Sequence, residues 1–184
     1  MRNNFHIGFA VAAALFLSAC ASSHMAVVEE GARVTRPEPG KALVYFVRPT
    51  VFGGAIQATV YDGDDYIGTV SAQTHLAYQA KPGAHLFMVI GESADFMQAD
   101  LTEGKTYSAV VMPRMGVWKA RFSFLPGSGM DQLGNTKQIS LSDEGRAWAK
   151  DNAASIKEKK AEYLPKWQEK PDNDKQTLRA EMGR

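Results

Sequence analysis

Two histidines, three aspartates in one short run, a serine between glycines and a lone cysteine are the side chains here whose types could do chemistry. A metal site would have to use His75 and His85, because His6 and His24 stand near the N-terminus, outside the region that can form a core. Ten residues across a turn could place them on neighbouring strands. Catalytic zinc needs three protein ligands and an open position, and no Asp or Glu stands at a telling spacing from either histidine. Both read as polar residues on partly exposed strand positions. Asp62, Asp64 and Asp65 make an oxygen-rich loop of the kind that suits calcium, but it lacks the sixth-position Gly and twelfth-position Glu of an EF-hand. It reads as a solvated hairpin tip. Ser128, within Pro126-Gly127-Ser128-Gly129, lacks the Gly-x-Ser-x-Gly spacing and the strand-to-helix setting of a nucleophile elbow, and reads as loop. No glycine-rich phosphate loop follows a strand and opens a helix. The expectation is no catalytic residue, no metal and no cofactor.

Cys20 has a different chemistry. Residues 7–17 are an unbroken apolar and small run behind a short start carrying Arg2. A run of this length is too short to span a bilayer, which takes about 20 residues, and it fits the apolar region of a signal peptide. Leu17-Ser18-Ala19-Cys20 comes next, which resembles the bacterial lipobox, whose cysteine is acylated (palmitate among the chains) before cleavage. Residues 1–19 are therefore expected to be a lipoprotein signal peptide and Cys20 the lipid attachment site. As the chain's single cysteine, it is then unavailable as a nucleophile or for a disulfide. Several acyl chains on one residue anchor stably, since each buried methylene adds about 0.8 kcal/mol. Ala21 stands where the lipoprotein resemblance associates Asp with inner-membrane retention, which implies the outer membrane and a periplasm-facing domain. Without residues 1–19 the chain carries 20 basic and 20 acidic side chains. Neither attraction to anionic lipid nor nucleic-acid binding is expected from that balance.

The rest divides by composition into segments that must position these side chains. Residues 20–40 are small, polar and proline-containing, and read as a lipidated N-terminus and tether, reaching about 70 Å at roughly 3.5 Å per residue. Residues 41–141 hold 16 charged residues and 12 of the 18 aromatics, so the core belongs there. Residues 142–184 hold 19 charged residues and cannot form a core alone.

Within the core segment, Ala42 to Val47 is a continuous apolar run that suits a strand covered on both faces. Ile56, Ala58 and Val60 alternate with polar neighbours, and Asp62-Gly63 before Tyr66 to Val70 signals a hairpin. Thr74 to Ala80, Ala84 to Ile90, Phe96 to Leu101 and Lys105 to Met112 come after, separated by Gly-containing turns. From Val117 to Leu125, Trp118, Ala120, Phe122 and Phe124 share one face and Lys119, Arg121 and Ser123 the other. The pattern predicts a mainly β protein, an antiparallel β-sandwich of about seven or eight strands. The tail predicts an α-helix capped by Ser142, with Ala149, Ala153, Ile156, Tyr163 and Trp167 along one stripe. Pro165 and Pro171 should break or kink the chain beyond them, leaving the last dozen residues to fray.

The run Leu43-Val44-Tyr45-Phe46-Val47-Arg48-Pro49, then Val60-Tyr61-Asp62-Gly63 with Ile67-Gly68, Tyr78, Pro82-Gly83-Ala84-His85 and Gly104-Lys105-Thr106-Tyr107, resembles an uncharacterised family of bacterial lipoproteins. Its members share a lipobox and a small β-sandwich domain of unknown function. The chain is also similar to the wider class of PEGA-like and carboxypeptidase-regulatory-like sandwiches. The resemblance covers about Lys41 to Leu125 plus the anchor, and implies a fold and an address in the cell envelope rather than an activity.

Two surfaces remain as candidates for partner binding. Val51 and Phe52 form an apolar pair in a loop, and Lys119 and Arg121, with Arg114 nearby, make a basic wet face that could meet an acidic partner or glycan. Trp167 of the tail is the third candidate position. The expected function is a non-enzymatic interaction module for envelope proteins or cell-wall polymer, anchored to the membrane by lipid. The alternative is a small envelope hydrolase or metal-dependent enzyme using His75, His85 or the Asp62–Asp65 loop.

Overall fold

Strands that are apolar on one face must bury that face against a second layer. In the computed structural model, which describes residues 24–54, 56–114 and 121–184, that layer is a second sheet. The strands are β1 (Met25–Val27), β2 (Ala42–Arg48), β3 (Ala58–Asp62), β4 (Asp65–Val70), β5 (Thr74–Ala80), β6 (Gly83–Ile90), β7 (Ala94–Leu101), β8 (Thr106–Arg114), β9 (Arg121–Pro126), β10 (Lys137–Leu141) and β11 (Gln176–Leu178). Six form one sheet in the order β1-β10-β5-β2-β8-β9, and five form the other in the order β11-β7-β6-β3-β4. Among the described residues one long helix, α1 (Asp143–Gln168), completes a mainly β, two-sheet sandwich.

The core lies between the sheets, where Val44 and Phe46 of β2 meet Phe87, Met97, Tyr107 and Phe124. On the other face of β2, Leu43, Tyr45 and Val47 are covered by Val34, Met130 and Leu133. Ala42 to Val47 of β2 are all buried, as the unbroken apolar run predicts, and Arg48 at its end is buried with them. The hairpin at Asp62-Gly63 is also formed, with Gly63 at φ 61° supplying the left-handed turn residue.

Two details of the expected sandwich are corrected. The strands among the described residues number eleven rather than seven or eight, because β1 and β11 have three residues each, too few to show alternation, and β10 has five. The sheets are also mixed. The turns after β5 and β7 carry the chain from one sheet to the other, and β8 returns beside β2 in parallel. β10 runs parallel to β5, and β11 parallel to β7.

The tether expected over residues 20–40 is likewise shorter. Met25 is buried in β1 opposite Leu141. The backbone of Val34 is held on both sides by the Gln138 side chain, at 2.7 and 3.0 Å, and its carbonyl accepts from the Tyr45 hydroxyl at 2.9 Å. Backbone polar groups that find partners on a sheet lie down on it.

Helix α1 begins as its sequence predicts: Ser142 Oγ accepts from the Gly145 N–H at 3.1 Å, with Asp143 and Glu144 in the first turn. Gly145 is required because a Cβ there would collide with the His24 carbonyl oxygen. The helix lies over the five-stranded sheet, where Ile156, Tyr163, Leu164 and Trp167 cover Tyr61, Met88, Ile90 and Phe96. Pro165 does not end it, and the helix continues to Gln168. The expected fraying at the C-terminus is corrected too: Leu178 is fully buried in β11, and Arg184 exchanges both backbone hydrogen bonds with Thr106.

Candidate functional site

The fold separates the residues considered for chemistry. His75 lies on β5 in the six-stranded sheet and His85 on β6 in the five-stranded one, so the expected neighbouring-strand arrangement is not formed. His75 is buried, and its Nδ1 stands 2.8 Å from Thr136 Oγ1, whose own hydroxyl has the Gln132 and Leu133 carbonyls as acceptors. Nδ1–H therefore donates to Thr136, and Nε2 accepts from Gln138 Nε2 at 3.4 Å. Burial, and then the charge of Arg33, push this imidazole down to about 4. His85 is in the opposite state. Nδ1 faces Asp62 Oδ2 at 2.8 Å and Nε2 faces the Lys81 carbonyl at 2.7 Å, both acceptors, so both nitrogens carry a proton. The hydrogen bond to Asp62 raises its pKa above the ordinary histidine value, against the opposing effect of burial. Neither nitrogen of either ring is left free to bind a metal or accept a substrate proton.

The aspartates diverge as well. Asp62 accepts from the Tyr78 hydroxyl at 2.9 Å in addition to His85, while Asp64 reaches across to Lys160 of α1 at 2.7 Å. Among the described residues no three His, Cys, Asp or Glu gather to hold a metal. The Ser128 hydroxyl donates to the Leu125 carbonyl at 2.7 Å.

The basic residues do come together. The end of β8, the starts of β7 and β9, and the last turns of α1 with the turn beyond it line a cleft of about 460 Å³. Arg114 and Arg121 are direct cross-strand partners at its rim, Lys166 lines it from the helix and Lys170 from the turn just beyond it. Asp95 and Glu162 are the carboxylates present, with Tyr163, Phe122, Ser93 and Ala94 completing the lining. Asp95 is already engaged, receiving Lys170 Nζ at 3.4 Å on one oxygen and Gln176 Nε2 at 3.0 Å on the other. Gln176 in turn accepts from Trp167 Nε1 at 3.2 Å. This chain of bonds ties helix, β7 and β11 together and fixes one wall. Arg114, Arg121 and Lys166 have no carboxylate within 4 Å among the described residues. Like charges held directly opposite on paired strands destabilise the pair, so the two arginines leave a concentrated positive field at the mouth.

Of the residues expected to bind partners, Arg121 lies in this cleft, while Lys119 and Cys20 fall outside the described residues. Trp167 is corrected: at 4% exposure it is buried on Phe96 and offers nothing to an outside partner. Val51 and Phe52 are 66% and 55% exposed on the β2–β3 loop. That loop is held from beneath by Arg48, which is fully buried and has no carboxylate partner among the described residues. Its guanidinium donates to the carbonyls of Ile56, Phe52, Gly53 and Val70 and sits 4.9 Å over the Phe122 ring. Its Nε is left without a partner.

The sequence pattern marks Tyr163 only as part of the helix's apolar stripe and does not mark Lys166 and Lys170. Tyr163 and Lys166 stand three residues apart, neighbours on one helix face, whereas Lys170 lies beyond the helix end and its approach is not a matter of helical spacing.

No protein-family profile matches the chain, and no solved structure matches it significantly. A protein of Haemophilus influenzae, described only as uncharacterized, is 29% identical over 130 residues, covering 67% of this chain and 72% of its own length.

Proposed function

We propose that this chain is a lipid-anchored outer-membrane lipoprotein, facing the periplasm, whose sandwich is a non-enzymatic interaction module for envelope proteins or cell-wall polymer. The observation that carries this reading is a contrast in the use of charge. Both imidazoles, Asp62 and Asp64 are engaged by internal partners, whereas Arg114, Arg121 and Lys166 line a cleft with no carboxylate within 4 Å of them among the described residues. The hydrolase or metal-enzyme alternative loses its converging groups for the same reason. The anchor reading rests on Leu17-Ser18-Ala19-Cys20. With β1 beginning at Met25, residues 21–24 separate the anchor from the fold, about 14 Å at full extension. The domain is then held close to the bilayer. Among the described residues no helix is long and apolar enough to cross a membrane.

The test is paired. Cys20→Ser should abolish palmitate labelling and release the protein from the outer-membrane fraction, and in-cell photocrosslinking from position 121 of the lipidated protein should capture a discrete envelope component. Unchanged fractionation of Cys20→Ser would remove the anchor, and crosslinking from position 121 that captures nothing would remove the module.

A further inference from the structure

We infer that the cleft between α1 and the ends of β7, β8 and β9 is a binding site for an anionic sugar, a saccharide unit bearing carboxylate or phosphate groups. The inference rests on the interaction-module reading and gives its ligand a chemistry. Four cations, Arg114, Arg121, Lys166 and Lys170, face two carboxylates, Asp95 and Glu162, so the lining is net positive by two charges. Lys170 is spent on Asp95, at 3.4 Å. The two opposed guanidinium groups have no carboxylate within 4 Å among the described residues, while Lys166 Nζ rests over the Tyr163 ring, 5.6 Å from its centroid, and the repulsion between the two arginines is relieved when an anion enters between them. Guanidinium forks match carboxylate and phosphate oxygens two at a time.

The remaining lining selects against other anions. A volume of about 460 Å³ falls within the 300–1,000 Å³ typical of small-molecule sites, and a protein partner of ordinary size would need about 800 Å² of surface instead. Glu162 would repel a dense polyanion such as an acidic peptide, but it accepts a hydrogen bond from a sugar hydroxyl. Ser93 adds a hydroxyl that donates or accepts, and Tyr163, half-buried with Lys166 Nζ 5.6 Å from its ring centroid, lines the cleft beside it. Anions spaced along a hydroxyl-rich scaffold satisfy all of these groups together.

The full chain in detergent should bind oligogalacturonate and glucose 1,6-bisphosphate, but not the neutral disaccharide cellobiose, by titration calorimetry at low salt. Arg114→Gln and Arg121→Gln should each weaken binding about tenfold, and 0.5 M salt should weaken it further, while Lys137→Gln, at an exposed position of β10, should leave it unchanged. Because these changes remove like-charge repulsion, both variants should melt no lower than the parent, which separates lost binding from lost folding. Inorganic phosphate should raise the parent's melting temperature and leave that of Arg121→Gln unmoved. Sedimentation with purified cell-wall sacculi against vesicles containing a phosphorylated glycolipid distinguishes a wall polymer from a lipid headgroup as the source. Failure of both sugars to bind, or equal binding by parent and variants, overturns the inference, and so does tighter binding of oligoglutamate than of oligogalacturonate. A protein captured by in-cell crosslinking from position 121 alongside failed sugar binding would retain the interaction module and discard the sugar.

Discussion

His75 and His85 carry opposite protonation states in one domain, and the cause in each case is the polarity of the nearest neighbours. His75 meets a hydroxyl and an amide under a buried sheet face, whereas His85 meets a carboxylate and a carbonyl and stacks on Phe87. The consequences for stability have opposite signs. The unfolded His75 ring takes up a proton near pH 6.5, but the folded one does so only near about 4. Its contribution is therefore present above pH 6.5 and is lost as pH falls towards 4, by up to about 3 kcal/mol. His85 is raised in the folded state, so its contribution is complete below pH 6.5 and is lost as pH rises through the folded value. Urea-denaturation midpoints measured from pH 4 to 9 should show His75→Gln flattening the acid limb and His85→Gln the alkaline limb. An acid limb unchanged by His75→Gln would show that the carboxylates, rather than this ring, set it.

At the scale of elements, α1 is held by few but specific contacts. Gly145 and Trp167 are its fully buried residues, and most of its remaining surface is wet. Such a helix gains little from its own amphipathicity and depends on where its anchors land. The Lys160–Asp64 pair is short but solvent-exposed, and Lys160→Ala should cost less than 1 kcal/mol. Trp167→Ala should cost about 3–5 kcal/mol by emptying the space over Phe96. It should also weaken anion binding, because Trp167 holds Gln176, and through it Asp95, at the cleft wall. Thermal melting and oligogalacturonate titration of the two variants, compared side by side, check both statements. Equal destabilisation by the two changes would mean that the helix is not held through its aromatic anchor.

Over the whole molecule, the first and last described segments are both closed into the sandwich. β1 extends one edge of the six-stranded sheet and β11 one edge of the five-stranded sheet, and Leu178 enters the common core. Deleting residues 176–184 should therefore lower the unfolding free energy by more than about 2 kcal/mol while keeping a single transition, and an unchanged melting temperature would place this segment outside the cooperative unit. Sequence pattern alone determined the β class, while the core draws Met25 and Leu178 from outside the segment expected to hold it. The pattern also determined the both-faces burial of β2, the Asp62-Gly63 hairpin and the Ser142 cap, since each depends on residues within a few positions of one another. The expected lipid attachment at Cys20 is local in the same way. Arg121 was singled out as a basic strand residue, but its opposition to Arg114 and the approach of Lys166 were not legible. Only the tertiary structure decided those, together with the parallel pairing of β2 with β8, the capture of β1 and β11 and the burial of Trp167. Strand alternation tells which face of a strand is covered and turn residues tell where the chain reverses, but neither carries information on which distant segment does the covering. That choice is made by the packing of the two sheets and the helix as a whole.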